Sequence, residues 1–232
     1  MDTAILRLTL SGPLQSWGDR SKFWNRQTQA FPTKSGIIGL IFCALGLGGP
    51  QKENLQLFSN LPMKVFRVGE SAKEIRPILS DFHMVGNGYD DQDPWQLECI
   101  PKTAEGKKAV GGGARLTYRE YLQDESFEVL IHIPEEWSKR IKEGLLNPVW
   151  DLYLGRKSCA PTEIIFGGIF KSEESALEEM NKSLSNRKPE PWVILNACEE
   201  VGVDEPGAVQ LYDVPLAFGR KKVYGVRYVK QS

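Results

Sequence analysis

The sequence predicts an α+β fold with a ferredoxin-like core that is elaborated by a hairpin. Three observations predict it: the order of strand and helix patterns, a glycine-rich and acidic interruption at residues 86–113, and alternating apolar residues near the C-terminus. The chain has 232 residues, of which 41% are hydrophobic and 25% charged, so it can bury one large core or a core with a small appendage.

The first strand and the first helix follow from alternation and capping. Residues 4–10 are mostly apolar with polar residues at alternate positions near their end, as in a half-buried strand. The glycines and the proline of residues 12–18 predict a loop after this strand. An apolar helix then begins, for which Thr33 and Ser35 are the candidate N-caps.

Strand and helix patterns alternate through the rest of the chain. Apolar residues at 127, 129, 131 and 133 share one strand face, and Pro134 ends this strand and begins a helix over 135–146. The other predicted elements are a helix near 51–59, strands at 62–68, 75–85 and 164–170, a helix at 172–184, and short strands between 190 and 232. This order of elements indicates the ferredoxin-like core.

Residues 86–113 interrupt the pattern, and we interpret them as an excursion from the core. They hold an acidic cluster at Asp90, Asp91 and Asp93 and end in three consecutive glycines at 111–113, which would form a hinge. Loops of this length are uncommon in compact domains and are usually functional. The predicted organisation is a core at 1–85 and 114–190, a hairpin excursion at 86–113 and a C-terminal β region at 191–232.

The start of the first helix is a candidate anion site. Its first backbone N–H groups lack intrahelical partners and lie at the positive end of the helix dipole. Lys34 stands beside them, between Thr33 and the pair Ser35 and Gly36. The alternative is a capped core helix with an incidental lysine.

The loop after the first strand mixes polar, aromatic and basic residues. Its members of these types are Gln15, Ser16, Trp17, Arg20, Lys22, Trp24 and Arg26. Basic residues interleaved with aromatic residues suit phosphate contact and base stacking. The alternative is that the two tryptophans are buried in the core.

The net charge of −1 does not exclude a nucleic-acid partner, because the charges are unevenly distributed. Basic residues dominate at 19–36, 102–119 and 214–232, whereas acidic residues dominate at 171–205. This asymmetry permits a basic groove and an acidic back. The alternative is a set of charges scattered over a solvated surface.

Five segments carry a combined pattern that no single motif would establish. They are GPLQSWG at 12–18, FPTKSGIIGLIFCALG at 31–46, DFHMVG at 81–86, ARLTYREYLQDESFEV at 114–129 and YLGRKSCAPT at 153–162. In this order they resemble the CasD family, the fifth core Cas protein of the type I-E CRISPR Cascade complex. The resemblance implies a protein of the repeat-associated (RAMP) class with an RRM-like domain.

The resemblance also implies a noncatalytic subunit that caps the 5′ handle of the crRNA and contacts the large subunit and the backbone subunits. The excursion would be a thumb inserted between crRNA and target DNA near the handle–spacer junction, with only its later, basic part facing phosphate. The residues expected at the RNA are Gln15, Ser16, Trp17, Arg20, Lys22, Arg26, Thr33, Lys34, Ser35, Gly36, Lys107, Lys108, Arg115, Arg156 and Lys157. For Arg156 and Lys157, the alternative is an ion pair with Glu163 or with the helix in the acidic segment 171–205.

Catalysis is the alternative class of function. A metal-independent endoribonuclease that processes CRISPR precursor RNA needs a base near the 2′-OH and a cation near the phosphate. His83 with Lys102, Lys107 or Lys108 would supply both, whereas His132 has no obvious partner. A third alternative is an isolated RNA-binding module outside CRISPR.

Composition argues against several other classes. The four cysteines, Cys43, Cys99, Cys159 and Cys198, form no C-x-x-C pair, so we expect reduced thiols, no zinc and no cofactor. The apolar run at 36–49 is short and rich in glycine for a membrane span, and the N-terminus lacks the basic region of a signal peptide. We therefore expect a cytoplasmic protein without a membrane partner.

Overall fold

The structure is a computed structural model that describes residues 2–18, 24–71, 77–85, 92–99, 102–107 and 115–232. These ranges hold nine strands and five α-helices. The strands are β1 (Thr3–Gln15), β2 (Asn25–Arg26), β3 (Met63–Glu70), β4 (Leu79–Val85), β5 (Arg115–Pro134), β6 (Phe166–Phe170), β7 (Trp192–Glu200), β8 (Val209–Ala217) and β9 (Val223–Gln231). The helices are α1 (Lys34–Ala44), α2 (Lys52–Ser59), α3 (Pro94–Cys99), α4 (Ser138–Leu146) and α5 (Glu173–Ser185), and a 3-10 turn, Glu135–Trp137, leads into α4.

One sheet organises the fold, with the strand order β6-β1-β5-β3-β7-β9-β8. Strand β1 runs antiparallel to β5 and to β6, and β3 runs antiparallel to β5 and to β7. Helices α1 and α2 lie between β1 and β3 in the chain, and α4 lies between β5 and β6. The predicted order of the main strands and helices agrees with the structure, whereas β2 and α3 were not predicted and β1 and β5 are longer than expected.

The main core lies between one face of the sheet and helices α1, α2 and α4. Because side chains alternate along a strand, Leu6 and Leu8 of β1 share this face with Val129 and Ile131 of β5. All four side chains are fully buried. The predicted alternation of apolar residues along β5 is confirmed.

The opposite face of the central strands is sealed by polar groups and by α5. Arg7 donates through Nε to Glu128 Oε2 at 2.8 Å, and the hydroxyl of Thr9 donates to Glu128 Oε1 at 3.1 Å. These three side chains are buried, and Ile5 packs beside them against Ala176 of α5. Helix α5 begins after Ser172, which caps the backbone N–H of residue 175. This face is therefore covered where Arg7, Thr9 and Glu128 lie.

Helix α1 begins after one of its two predicted caps. Thr33 has an extended backbone, and its hydroxyl accepts a hydrogen bond from the N–H of Gly36 at 3.3 Å. Apolar side chains around the helix, including Ile37, Ile38 and Phe42, are buried. Helix α1 is therefore enclosed by other parts of the protein, which explains its nearly continuous apolar sequence.

Strand β1 is longer than the sequence predicts. The expected loop at residues 12–18 is wrong for its first part, because Leu14 and Gln15 still pair with Gln123 and Leu122 of β5. Pro13 lies between paired residues and has no ladder partner itself. A proline is tolerated in a strand where its missing N–H interrupts no hydrogen bond.

A hairpin leads to the predicted excursion. Strand β4 pairs antiparallel with the first half of β5, and the short strand β2 pairs with β5 beside it. Residues 92–99, which include α3, and the turn at 102–107 belong to the excursion. The rest of the excursion, including the glycines at 111–113, lies outside the described residues.

The C-terminal strands extend the main sheet. Strand β7 pairs with β3, β9 pairs with β7, and β8 forms the edge. Each of the three has nine residues, so they are longer than the short strands that we expect from the sequence. None of the helices in the described ranges is long and apolar enough to cross a membrane.

Candidate nucleic-acid interface

Four segments that are distant in sequence surround one cavity of about 440 Å³ at the start of α1. We call it the α1 cavity. It is lined by Ser16, Trp17, Gly18, Thr33, Ser35, Gly36, Gly39, Leu40, Phe42, Cys43, Leu47, Trp150, Tyr153, Gly155, Phe218, Lys222 and Tyr224. Ser35 and Gly36, two of the predicted RNA-binding residues, are half-buried on its wall. The cavity thus brings the GPLQSWG segment, the helix start and the YLGR segment together.

Two glycines allow these segments to approach closely. Gly155 has a φ of +88°, and a β-carbon there would overlap the carbonyl oxygen of Ser16. A β-carbon at Gly36 would stand 2.9 Å from Cε3 of Trp17. The N–H of Ser16 also donates to the carbonyl of Leu154 at 3.1 Å. Glycine is therefore required where the backbones meet.

Gln15 and Trp17 support the cavity from within the protein. The amide of Gln15 donates to the carbonyls of Leu10 and Glu125, and it accepts a hydrogen bond of 3.1 Å from Nε1 of Trp17. The Trp17 side chain is only 1% exposed. Its ring faces are covered by protein, which corrects our expectation that Trp17 stacks on a base.

Lys34 has protein partners in place of a free anion. Its side chain is 1% exposed, and its Nζ donates to Glu200 Oε1 at 3.0 Å. Its backbone N–H donates to Asp213 Oδ2 at 2.7 Å. Burial lowers the pKa of the Lys34 amine, and the neighbouring Glu200 opposes this shift. The expectation that Lys34 meets phosphate is therefore corrected, because Asp213 accepts its backbone N–H and Glu200 accepts its side-chain amine.

Arg227 extends these contacts into a network. It donates to Asp213 through two nitrogens, both at 2.7 Å, and to Glu200 Oε1 at 3.1 Å. We call Lys34, Glu200, Asp213 and Arg227 the charge quartet. Burial acts to lower the pKa of Arg227, but its carboxylate partners outweigh this and raise it. The quartet joins the start of α1 to strands β7, β8 and β9.

Arg156 of the YLGR segment is also engaged by the protein. It donates to the carbonyls of Glu120 at 3.1 Å and Arg26 at 2.7 Å, and it lies over the ring of Tyr121. Glu163, one partner of the alternative ion pair, is instead paired with Arg187. Arg156 therefore joins YLGR to β2 and β5, whereas its neighbour Lys157 is exposed.

Comparison with known proteins adds evidence that spans nearly the whole chain. A family model described as CRISPR-associated protein (Cas5) matches residues 5–230. The chain belongs to this CRISPR-associated Cas5 family. It is 29% identical over 193 residues to the CRISPR system Cascade subunit CasD of Escherichia coli strain K12, which covers 80% of this chain and 78% of the relative.

Two solved structures share the Cas5-family fold of this chain. One is described as a CRISPR RNA-guided surveillance complex; it has a TM-score of 0.70 and 26% identity, and the match covers 98% of this chain and 89% of the other. The second is described as a crystal structure of a Cas protein, with a TM-score of 0.60, 25% identity, and coverage of 98% and 93%.

The other predicted RNA-binding residues of this Cas5-family chain are dispersed. Arg26 in β2 and Lys107 in the excursion are exposed, and the Thr33 hydroxyl is used as the cap of α1. Arg20, Lys22, Lys108 and the side chain of Arg115 lie outside the described residues. The structure brings Ser16, Trp17, Thr33, Ser35 and Gly36 together at the cavity, but not Arg26 or Lys107.

Sequence reasoning missed the aromatic and C-terminal walls of the cavity in this Cas5-family chain. Trp150, Tyr153, Phe218, Lys222 and Tyr224 line it. The basic character of residues 214–232 was visible in the sequence, but nothing local indicated that this segment meets α1. That meeting depends on strand pairing between distant parts of the chain, which no short motif encodes.

The candidate catalytic histidine, His83, is half-buried on β4 of the hairpin. Its carbonyl accepts a hydrogen bond from the Thr117 hydroxyl at 3.3 Å. Lys102 and Lys107 are exposed in the turn beyond it, and Lys108 is not described. Over the ranges that the structure describes, no three metal-ligating side chains converge.

Proposed function

We propose that this chain is a noncatalytic subunit of a type I-E CRISPR Cascade complex. In this role it holds the 5′ handle of the crRNA and bridges the large subunit to the backbone subunits. The named Escherichia coli relative is a Cascade subunit, and one similar solved structure is an RNA-guided surveillance complex. The observation that carries the proposal is the convergence of the GPLQSWG, FPTKSG and YLGR segments on one cavity.

The strand order supports a ferredoxin-like, RRM-like domain of the RAMP class. Strands β1, β3, β5 and β6 with their connecting helices follow the order β-α-β-β-α-β, with β1 and β5 at the centre. An RRM stacks RNA bases on the open face of its sheet. Here Arg7, Glu128 and α5 seal that face, so RNA binds instead at the α1 cavity and the nearby basic loops.

The predicted RNA-binding residues divide into two roles. Residues with accessible side chains or backbone contact RNA directly; these are Ser35, Gly36, Arg26, Lys107 and Lys157. The remaining described residues shape the site through buried contacts; these are Gln15, Ser16, Trp17, Thr33, Lys34 and Arg156. Arg20, Lys22, Lys108 and Arg115 remain predicted phosphate contacts.

The hairpin of β4 and β5, with the excursion at its end, acts as the thumb. Its outer face is apolar, with Phe82 beside Tyr118 at a ring-centroid distance of 5.4 Å and Met84 opposite Leu116. These four side chains are substantially exposed. Such a face suits insertion between crRNA and target DNA near the handle–spacer junction, because apolar and aromatic groups stack on unpaired bases.

Co-expression with the remaining Cascade subunits and a CRISPR array tests this function. A tagged copy of the full chain is expected to purify with the other subunits and with crRNA of uniform 5′ end. Recovery of an RNA-free monomer would contradict the proposal.

The nuclease alternative is tested by incubating the purified chain with its repeat RNA, with and without Mg²⁺. We expect intact RNA, because the sequence has only two histidines and pairs neither of them with an evident second catalytic group. Site-specific cleavage that disappears in His83→Ala would support the alternative.

A further inference from the structure

The β8–β9 hairpin forms the outer wall of the α1 cavity. Phe218 at its turn packs edge-on against Phe42 of α1 at 6.1 Å, and its N–H donates to the carbonyl of Pro50 at 2.9 Å. Lys222 and Tyr224 then continue along the cavity wall. The turn is therefore anchored on the α1 and α2 layer, and the cavity lies between this layer and the hairpin.

The chemistry of the wall fits one nucleotide. Trp150 and Tyr224 are aromatic and are 48% and 39% exposed, so their rings are accessible to a base. Lys222 is exposed, and no described acid forms an ion pair with it. The volume of about 440 Å³ lies within the range of about 300–1,000 Å³ that is typical of small-ligand pockets.

The charge quartet holds this wall in place. Asp213 of β8 and Arg227 of β9 bond each other, and Asp213 also accepts the backbone N–H of Lys34. Glu200 of β7 accepts hydrogen bonds from both Lys34 and Arg227. Buried ion pairs with several hydrogen bonds fix the relative position of the elements that carry them, even where their net contribution to stability is small. The quartet thus sets the distance between the helix start and the hairpin.

We infer that the β8–β9 hairpin completes a one-nucleotide pocket, in which Lys222 contacts the phosphate and Tyr224 and Trp150 contact the base. Lys34 is a positioning residue that acts through the quartet and does not touch the nucleotide. This inference rests on the proposed RNA-binding function and adds a C-terminal contact surface to it. An RNA phosphodiester with an unpaired base is the matching ligand, because it supplies both a charge for Lys222 and a ring for the aromatic walls.

The test measures binding of single-stranded repeat RNA to the full chain by fluorescence anisotropy over a series of salt concentrations. Lys222→Ala should weaken binding and reduce the salt slope by about 0.7, the value for one lost phosphate contact. Tyr224→Leu should weaken binding about tenfold with little change in slope. Lys221→Ala is the matched control: it removes the same charge from the same turn, outside the cavity lining, and should resemble the wild type.

Lys34→Met distinguishes positioning from contact. Affinity should fall while the salt slope stays at the wild-type value, since no phosphate contact is lost. Glu200→Gln is a second variant of the quartet, to be used if Lys34→Met does not fold. It should likewise lower the affinity for RNA and leave the salt slope at the wild-type value. A reduced slope in a folded Lys34→Met protein would show that Lys34 contacts phosphate, contrary to the inference.

The outcomes separate this inference from the proposed function. If the wild type binds repeat RNA and both Lys222→Ala and Tyr224→Leu bind it equally well, the pocket inference is overturned and the RNA-binding function stands. If the wild type does not bind this RNA, either alone or within Cascade, the proposed function itself fails. If the two variants keep RNA affinity but lose another Cascade subunit during purification, the cavity accepts a protein segment, and the inference is again overturned.

Discussion

Gly155 of the YLGR segment lies against the carbonyl oxygen of Ser16 so closely that no β-carbon fits between them. The same glycine has a φ of +88°, a conformation that residues with side chains rarely adopt. Gly155→Ala should therefore destabilise the protein by about 2 to 4 kcal/mol, through strain and the forced separation of the two segments. Urea denaturation of the purified variant measures this loss.

Gly49→Ala separates strain from collision. Gly49 has a φ of +83°, but no atom lies within 4 Å of the position of its absent β-carbon. This variant should lose only about 1 kcal/mol. Equal losses at the two positions would mean that the contact with Ser16 is unimportant.

Trp17→Ala should act mainly on folding. The indole is fully buried and donates to Gln15, so its removal leaves a cavity and should cost about 3 to 5 kcal/mol. Trp24→Ala is the control: Trp24 is 63% exposed, and its loss should change stability by less than about 0.5 kcal/mol. If Trp17→Ala keeps wild-type stability but loses RNA affinity, Trp17 stacks on a base after all.

Arg156 and Lys157 are adjacent but should respond differently to substitution. Arg156→Ala removes two hydrogen bonds to carbonyls and the contact with Tyr121, and should cost about 1 to 3 kcal/mol of stability. Lys157→Ala should leave the thermal melt unchanged but reduce the salt slope of RNA binding by about 0.7. A reduced salt slope in Arg156→Ala and an unchanged slope in Lys157→Ala would show that Arg156, not Lys157, faces phosphate.

The Cys198 thiol should make stability depend on alkaline pH. Burial raises its pKa to about 11, from an ordinary value near 9.0. The native state therefore favours the neutral thiol, so this stability is complete below about pH 9 and is lost as pH rises towards about 11. The loss is on the order of 2 kcal/mol.

Cys198→Ala isolates this effect. Burial lowers the pKa of the nearby Lys34, a change of opposite sign, so the informative quantity is the difference in unfolding free energy between wild type and variant at each pH. That difference should shrink between about pH 9 and 11. A difference that is constant with pH would mean that Cys198 does not titrate with folding.

The sequence predicts the elements of this fold better than their contacts. Alternation along residues 127–133 and the Thr33 cap are local signals, and both correspond to the observed β5 and α1. The end of β1 was missed because proline and glycine usually break strands, whereas here the ladder has a gap at Pro13. That exception depends on the partner strand, which local sequence does not describe.

The candidate site shows the same limit more strongly. A lysine at a helix start indicates an anion site, and carboxylates do meet Lys34, but they are Glu200 and Asp213 of the chain itself. Both are far along the sequence and reach Lys34 only because β7, β8 and β9 extend the sheet beside β3. The FPTKSG motif therefore indicated the correct region of the protein, but the predicted partner of Lys34 was wrong.

The walls of the α1 cavity come from both ends of the chain, from Ser16 to Tyr224. During translation, the N-terminal wall leaves the ribosome long before the β8–β9 hairpin has been made. Until that hairpin has been made, the cavity lacks the wall that holds Phe218, Lys222 and Tyr224. The cavity is therefore complete only after all four of its segments, from residue 16 to residue 224, have been made.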